Sequence, residues 1–160
     1  MERFNHLKFT KLEYYIRFAV IGLAALTPII FLLTQGYHQS MSTYWRTPMQ
    51  PLFILSNIFT AYYLYTMPRW KKSALLLLAL TAFSIDCCAP LHNLLAVIFF
   101  IANMHPLYKT KHFTICFYLY ISSCFIAPFD MMLMEMFAVT TLCLYHGLIL
   151  NKIRVIQSKS

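Results

Sequence analysis

Ser84-Ile85-Asp86-Cys87-Cys88-Ala89-Pro90-Leu91-His92-Asn93 interrupts an apolar run that starts near Ala74 and continues to about Ala102. Uninterrupted, that run exceeds the roughly 20 residues that cross a bilayer core. An acid, two thiols, a proline and an imidazole at its centre read as a tight hairpin between two spans. Their polar groups are costly in lipid, which puts them at a membrane face or inside a bundle.

The composition around this stretch supports a membrane chain. Of 160 residues, 60% are apolar, 11% are charged and only three are glycine; a soluble domain carries about 25% charged residues. Six crossings with short loops use up the length and leave no soluble domain. The spans are expected at about 16–35, 49–67, 73–86, 90–104, 113–127 and 131–150. An amphipathic lead precedes them at 1–15, and a tail follows at 151–160. Spans three and four, and five and six, form short helical hairpins; span three is short enough to require tilt or local thinning. Pro28 marks a kink in span one, and Glu13 and Arg17 stand at the spacing of a helical ion pair. The first apolar stretch reads as a retained helix, with no cleavable signal peptide.

The basic residues orient this threading. Arg3, Lys8, Lys11, Arg17, Arg69, Lys71, Lys72, Lys109, Lys111, Lys152, Arg154 and Lys159 all fall on one side of a six-span arrangement, and Arg46 alone falls on the other. The excess of Lys and Arg on cytoplasmic loops then puts both termini in the cytoplasm. Reading 74–104 as one helix would spoil the segregation. The same placement accounts for the net charge of +8 without a nucleic acid partner. A weak repeat at an offset of 38 pairs Pro68, Trp70, Lys71, Ser84, Ala89 and Pro90 with Pro106, Tyr108, Lys109, Ser122, Ala127 and Pro128. Parallel repeats of this kind occur in transporters.

The threading sorts the polar groups. His38, Ser40, Ser42, Tyr44, Arg46, Asp86, His92, Asn93, Asp130 and Glu135 gather at the outer face. An ionisable group within a span defaults to a functional hypothesis; Glu135 leads, with Arg46 or His92 as its partner. Asp130 reads most simply as the N-cap of span six. The five cysteines match no zinc spacing, and their odd count argues against a full disulfide framework. Cys87 and Cys88 read as free thiols, with a bridge from one of them to Cys124 as the alternative. At the inner face, Asn103, His105, His112, His146 and Asn151 lack any acid or metal spacing, so these imidazoles are expected to be interfacial. No phosphate-binding glycine loop, nucleophile elbow or HExxH motif is present.

Ser40-Met41-Ser42-Thr43-Tyr44-Trp45-Arg46-Thr47-Pro48-Met49, followed by Phe53, resembles the Ser-x-Ser-x-Tyr-Tyr loop of small bacterial six-span proteins of unknown function. Leu91-His92, Ala96, Phe99-Phe100, Glu135 and Tyr145-His146-Gly147 extend the likeness over most of the chain. Gln50-Pro51 departs from it, where that group has Arg-Asp. The resemblance implies a bacterial cytoplasmic (inner) membrane location and brings no activity. Ser42, Asp86 and His92 are also distantly similar to the zinc site of the membrane hydrolase superfamily of alkaline ceramidases and progestin/adipoQ receptors. That superfamily has seven spans and paired histidines in the last one, where this chain has six spans and His146 alone.

The expectation is therefore an all-α integral membrane protein, a six-transmembrane-helix bundle. Its outward-facing polar pocket would bind a lipid headgroup, small solute or partner helix through Arg46, Asp86, His92, Glu135, Ser42 and Tyr44, with no cofactor and no catalytic motif. Membrane lipids are its constant partners, with a homo-oligomer or a second membrane protein as candidate company. Two alternatives stand beside it. One is a metal-dependent hydrolase of lipid amides or esters with zinc held by Asp86 and His92; the other is a small oligomeric transporter.

Overall fold

The structure, a computed structural model, describes residues 9–110 and 113–158. They form six α-helices: α1 Lys11–Gln35, α2 Gln50–Thr66, α3 Lys71–Ala82, α4 Ile85–Lys109, α5 Thr114–Cys124 and α6 Met131–Gln157. A 3-10 segment, Met41–Arg46, lies between α1 and α2. His112, and most of the lead at 1–15, lie outside the described residues.

Local chemistry sets the helix ends. Thr10 and Glu13 form a reciprocal capping box at the start of α1: Thr10 Oγ1 accepts from the Glu13 N–H at 3.2 Å and Glu13 accepts from the Thr10 N–H at 2.7 Å. Such a box satisfies two N–H groups that a helix start leaves orphaned. Glu13 is thereby taken from the expected pair with Arg17. The Arg17 guanidinium instead donates to Thr66 Oγ1 at 2.8 Å and lies 4.0 Å over the Phe9 ring. α1 runs through Pro28 and stops at Gly36, whose φ of 79° is a left-handed value that glycine adopts without strain. Asp130 caps α6 as expected, accepting the Leu133 N–H at 2.9 Å.

The Ser84–Asn93 stretch folds differently from a hairpin loop. The turn is Phe83–Ser84, and Ser84 already caps α4 by accepting from the Cys87 N–H. The helix then breaks at Cys88 (φ −157°, ψ 81°) before it resumes. Pro90 accounts for the break: its ring collides with the carbonyl four residues back in a continuous helix, and it has no N–H to give. The far end of α4 also departs from the expected boundary, running on through Pro106 to Lys109.

Helix length divides the set. α1, α4 and α6, with 25, 25 and 27 residues, are long and apolar enough to cross a membrane. The others have 17, 12 and 11 residues, or about 26, 18 and 17 Å, against a hydrocarbon core of about 30 Å. Spans three and five are therefore shorter than the sequence suggests.

Each helix packs chiefly on its neighbours in the chain, and α6 closes on α1, so the six make a ring. The 3-10 segment touches α1, α2, α4 and α6 and covers one end. There Arg46 pairs with Asp86, and the Tyr37 hydroxyl donates to Asp130. At the other end Arg69 reaches the Lys109 carbonyl at 3.4 Å, Lys152 lies 6.0 Å over Phe113, and Arg154 lies 5.6 Å over Tyr14. The larger core cluster runs from Trp70, Leu107 and Tyr145 toward that second end up to Phe99 and Met134; a smaller one of Phe31, Tyr44, Phe53 and Met132 lies under the 3-10 segment. The 38-residue repeat has no structural counterpart: Pro68 lies in a turn and Pro106 inside α4, while Ser84 caps a helix and Ser122 lies within one.

Candidate functional site: a cleft beside the 3-10 segment

Ser40, Ser42, His92, Asn93 and Glu135 share one open cleft of about 430 Å³. The 3-10 segment brings the serines to it, α4 brings His92 and Asn93, and α6 brings Glu135.

His92 is 3% exposed and both of its ring nitrogens are engaged. The Phe83 carbonyl, 2.7 Å from Nδ1, can only accept, so Nδ1 carries the proton. Nε2 of the neutral ring then accepts from Ser42 Oγ at 2.8 Å. One imidazole thus ties the α3–α4 turn to the 3-10 segment. Glu135, also buried, accepts from the Met41 N–H through Oε2 at 2.6 Å. Its partner is neither Arg46 nor His92, as the sequence suggests, but a backbone group. Oε1 has no protein partner among the described residues and is left for the cleft.

Below these groups the wall turns apolar. Asn93, Ala96, Val97, Phe100, Ile101 and Met104 line it along α4, at the 3–4 spacing that sets residues on one helix face. From Asn93 to Met104 is eleven residues, about 16 Å of helix.

Three of the expected site residues lie elsewhere. Arg46 and Asp86 pair with each other on the surface, their side chains 62% and 44% exposed, and do not line the cleft. An exposed pair of this kind is worth about 0–1 kcal/mol. Tyr44 is fully buried, donates to the Gly36 carbonyl at 2.7 Å and packs on Phe31 and His38, so it anchors the 3-10 segment to the end of α1. Burial pushes its phenol up from the ordinary value. At the same end the Asp130 carboxyl is held below its usual range, first by the Leu133 N–H and then by the Tyr37 hydroxyl, and the Tyr37 phenol is correspondingly raised.

Zinc, which the hydrolase resemblance implies, does not fit these residues. Both His92 nitrogens are spent on the protein and Asp86 is committed to Arg46. No group of three His, Cys, Asp or Glu suited to a metal occurs among the described residues. All five cysteines are unpaired; Cys124 Sγ faces the Tyr120 carbonyl at 3.9 Å rather than Cys87 or Cys88.

Comparison with protein-family models, curated proteins and solved structures found no match. His146, expected at the interface from the sequence, is 3% exposed and enclosed by Tyr63, Trp70 and Tyr145. The signal was present: Ala138, Thr141, Tyr145, Ile149 and Ile153 mark the buried stripe of α6, and position 146 lies on it.

Proposed function

We propose that the chain is a multi-pass membrane protein that holds a phospholipid with an amine-bearing headgroup in the cleft beside the 3-10 segment. The observation that carries this is the continuity of the cleft, from a carboxylate oxygen at Glu135 to an apolar trough along α4. Glu135 is the one acidic side chain on that wall among the described residues, and its carboxyl oxygen favours a cationic or hydrogen-bond-donating head. The depth matches an acyl chain lying beside it.

The apolar outer surface supports a membrane setting, since Leu33, Tyr62, Ile115, Phe125 and Phe129 are each more than half exposed and water tolerates few such patches. In the six-crossing arrangement α3 and α5 reach the headgroups through their turns. The end with Arg17, Arg69, Lys109, Lys152 and Arg154 faces the cytoplasm by the excess of basic residues there, and the cleft opens on the outer side of a bacterial inner membrane.

The test is native mass spectrometry of detergent-purified protein offered phosphatidylethanolamine and phosphatidylglycerol in equal amounts. Preference for the amine lipid of about tenfold is expected, the size of one charge-assisted hydrogen bond. Glu135→Gln should equalise the two. Equal retention by the unaltered chain overturns the headgroup assignment.

A second reading rests on Ser42 and His92 alone. A hydroxyl donating to an imidazole whose other nitrogen is fixed is the nucleophile–base–orienter arrangement of acyl transfer. It needs no metal. A fluorophosphonate probe that labels Ser42, and fails to label the His92→Gln variant, would raise it above the binding role; no labelling sinks it.

A further inference from the structure

Cys87 and Cys88 are neighbours in the chain, lie at the end of the ring covered by the 3-10 segment, and take no part in the cleft. Both thiols are free; Cys87 is exposed and Cys88 half-buried. The other three cysteines stand apart from one another in the sequence, and Cys116 is fully buried. Two adjacent thiols have a chemistry that single ones lack.

That chemistry follows from distance. Adjacent α-carbons lie about 3.8 Å apart across a trans peptide, whereas an ordinary disulfide sets them about 4.4–6.8 Å apart. The pair is therefore too close to bond to itself without strain. A third atom between the sulfurs relieves the conflict, because it opens the sulfur–sulfur gap from one bond to two.

The local backbone permits such a ring to close. Ser84 holds Cys87 in the first turn of α4, its Oγ accepting the Cys87 N–H at 3.3 Å and its carbonyl accepting the Cys87 and Cys88 N–H groups at 3.1 and 3.2 Å. Cys88 then leaves helical geometry, with φ −157° and ψ 81°, just before Pro90. In a continuous helix successive side chains diverge by about 100°, and drawing two of them together would break the hydrogen-bond ladder. Here the ladder is already interrupted, so Cys88 can turn toward Cys87 without that loss.

The donor set chooses the occupant. Structural zinc takes four protein ligands, and no group of three His, Cys, Asp or Glu suited to a metal occurs among the described residues. Asp86, the neighbouring acid, is engaged by Arg46. Two thiolates alone suit a soft centre that brings its own remaining substituent. Trivalent arsenic is such a centre: it bonds two sulfurs and keeps a hydroxyl or a carbon group as its third.

We propose that Cys87 and Cys88 form a chelating site for trivalent arsenicals. With phenylarsine oxide, two S–H bonds and the arsenic–oxygen bond break and two As–S bonds form. Both thiol protons leave with the oxygen as one water. Arsenic stays trivalent throughout, so the step needs no oxidant or reductant. Nothing in the cleft is required for it.

The probe is phenylarsine oxide itself. The full chain in mild detergent is reduced, freed of reductant, mixed with one equivalent of probe and then challenged with excess glutathione, a monothiol. Intact-protein mass spectrometry should show one phenylarsenic group per chain, which 2,3-dimercaptopropanesulfonate, a competing dithiol, removes. Cys87→Ser and Cys88→Ser should each weaken retention about hundredfold, the advantage of joining two binding events through a short link. Cys124→Ser should leave it unchanged. An unaltered chain that keeps no arsenic in glutathione, or an adduct that survives Cys87→Ser, overturns the proposal. Helical circular dichroism accompanies each variant; where Cys88→Ser loses helicity, the exposed Cys87→Ser alone decides.

Discussion

At the scale of single residues, His92 is the fastening of the outer end. It joins the carbonyl of one turn to a hydroxyl of the 3-10 segment, and both partners lose their match when it goes. His92→Phe, which keeps a ring in the space, should therefore cost about 2–4 kcal/mol, read as a lowered melting temperature in detergent. Glu135 separates shape from chemistry. Glu135→Gln retains an oxygen for the Met41 N–H and should be near neutral for stability, whereas Glu135→Leu leaves that donor buried and alone, at about 1–3 kcal/mol. Ser42, His92 and Glu135 were legible in the sequence because polar groups amid apolar runs demand partners. Tyr44 and His146 were misassigned for one reason. Position along a helix or loop is written in the order of residues, but rotation toward the interior is set by packing, and only the buried stripe of α6 could have supplied it.

At the scale of elements, the caps decide where helices begin. Asp130 holds the start of α6 and also receives the Tyr37 hydroxyl from the end of α1. Its carboxyl is depressed in the folded state, so the folded protein favours the ionised form. The stabilisation is fully present above the unfolded carboxylate value, about 3.9, and is lost as pH falls through the lower folded value. Asp130→Asn should lower stability in the neutral range and leave the strongly acid range nearly unchanged, which flattens the acid limb of a stability–pH profile. The Arg46–Asp86 pair, exposed on both sides, should contribute little; Arg46→Ala is expected to change stability by less than about 1 kcal/mol. The existence of six helices and the cap at Asp130 could be read from the sequence. The start of α4 could not be, because its residues satisfy the rules of a turn and of a broken helix equally well. Ser84 as a cap and Pro90 as a breaker are compatible with either, and packing against the 3-10 segment chose.

At the scale of the whole molecule, Arg17, Arg69, Lys109, Lys152 and Arg154 lie toward one end of the ring, and Asp86 and Asp130 toward the other. Thiol labelling tests which end faces outward. Cys87 is exposed beside Asp86, so a membrane-impermeant maleimide applied to intact cells should modify Cys87 at once. A cysteine placed at Ser158 should react only after the membrane is opened; the reverse pattern would invert the threading. The connectivity of the ring bears on how the molecule is made. Most close helix packing joins consecutive elements, while α6 on α1 unites the first helix with the last and Tyr63 on His146 links α2 to α6. Contacts so local in sequence form as the ribosome delivers them, so hairpins can assemble one after another during synthesis. The ring itself, however, is not closed until Met131–Gln157 has emerged. A nascent chain stalled before that point is a slit cylinder, open along one seam from end to end, and its last helix is the stave that makes it hold.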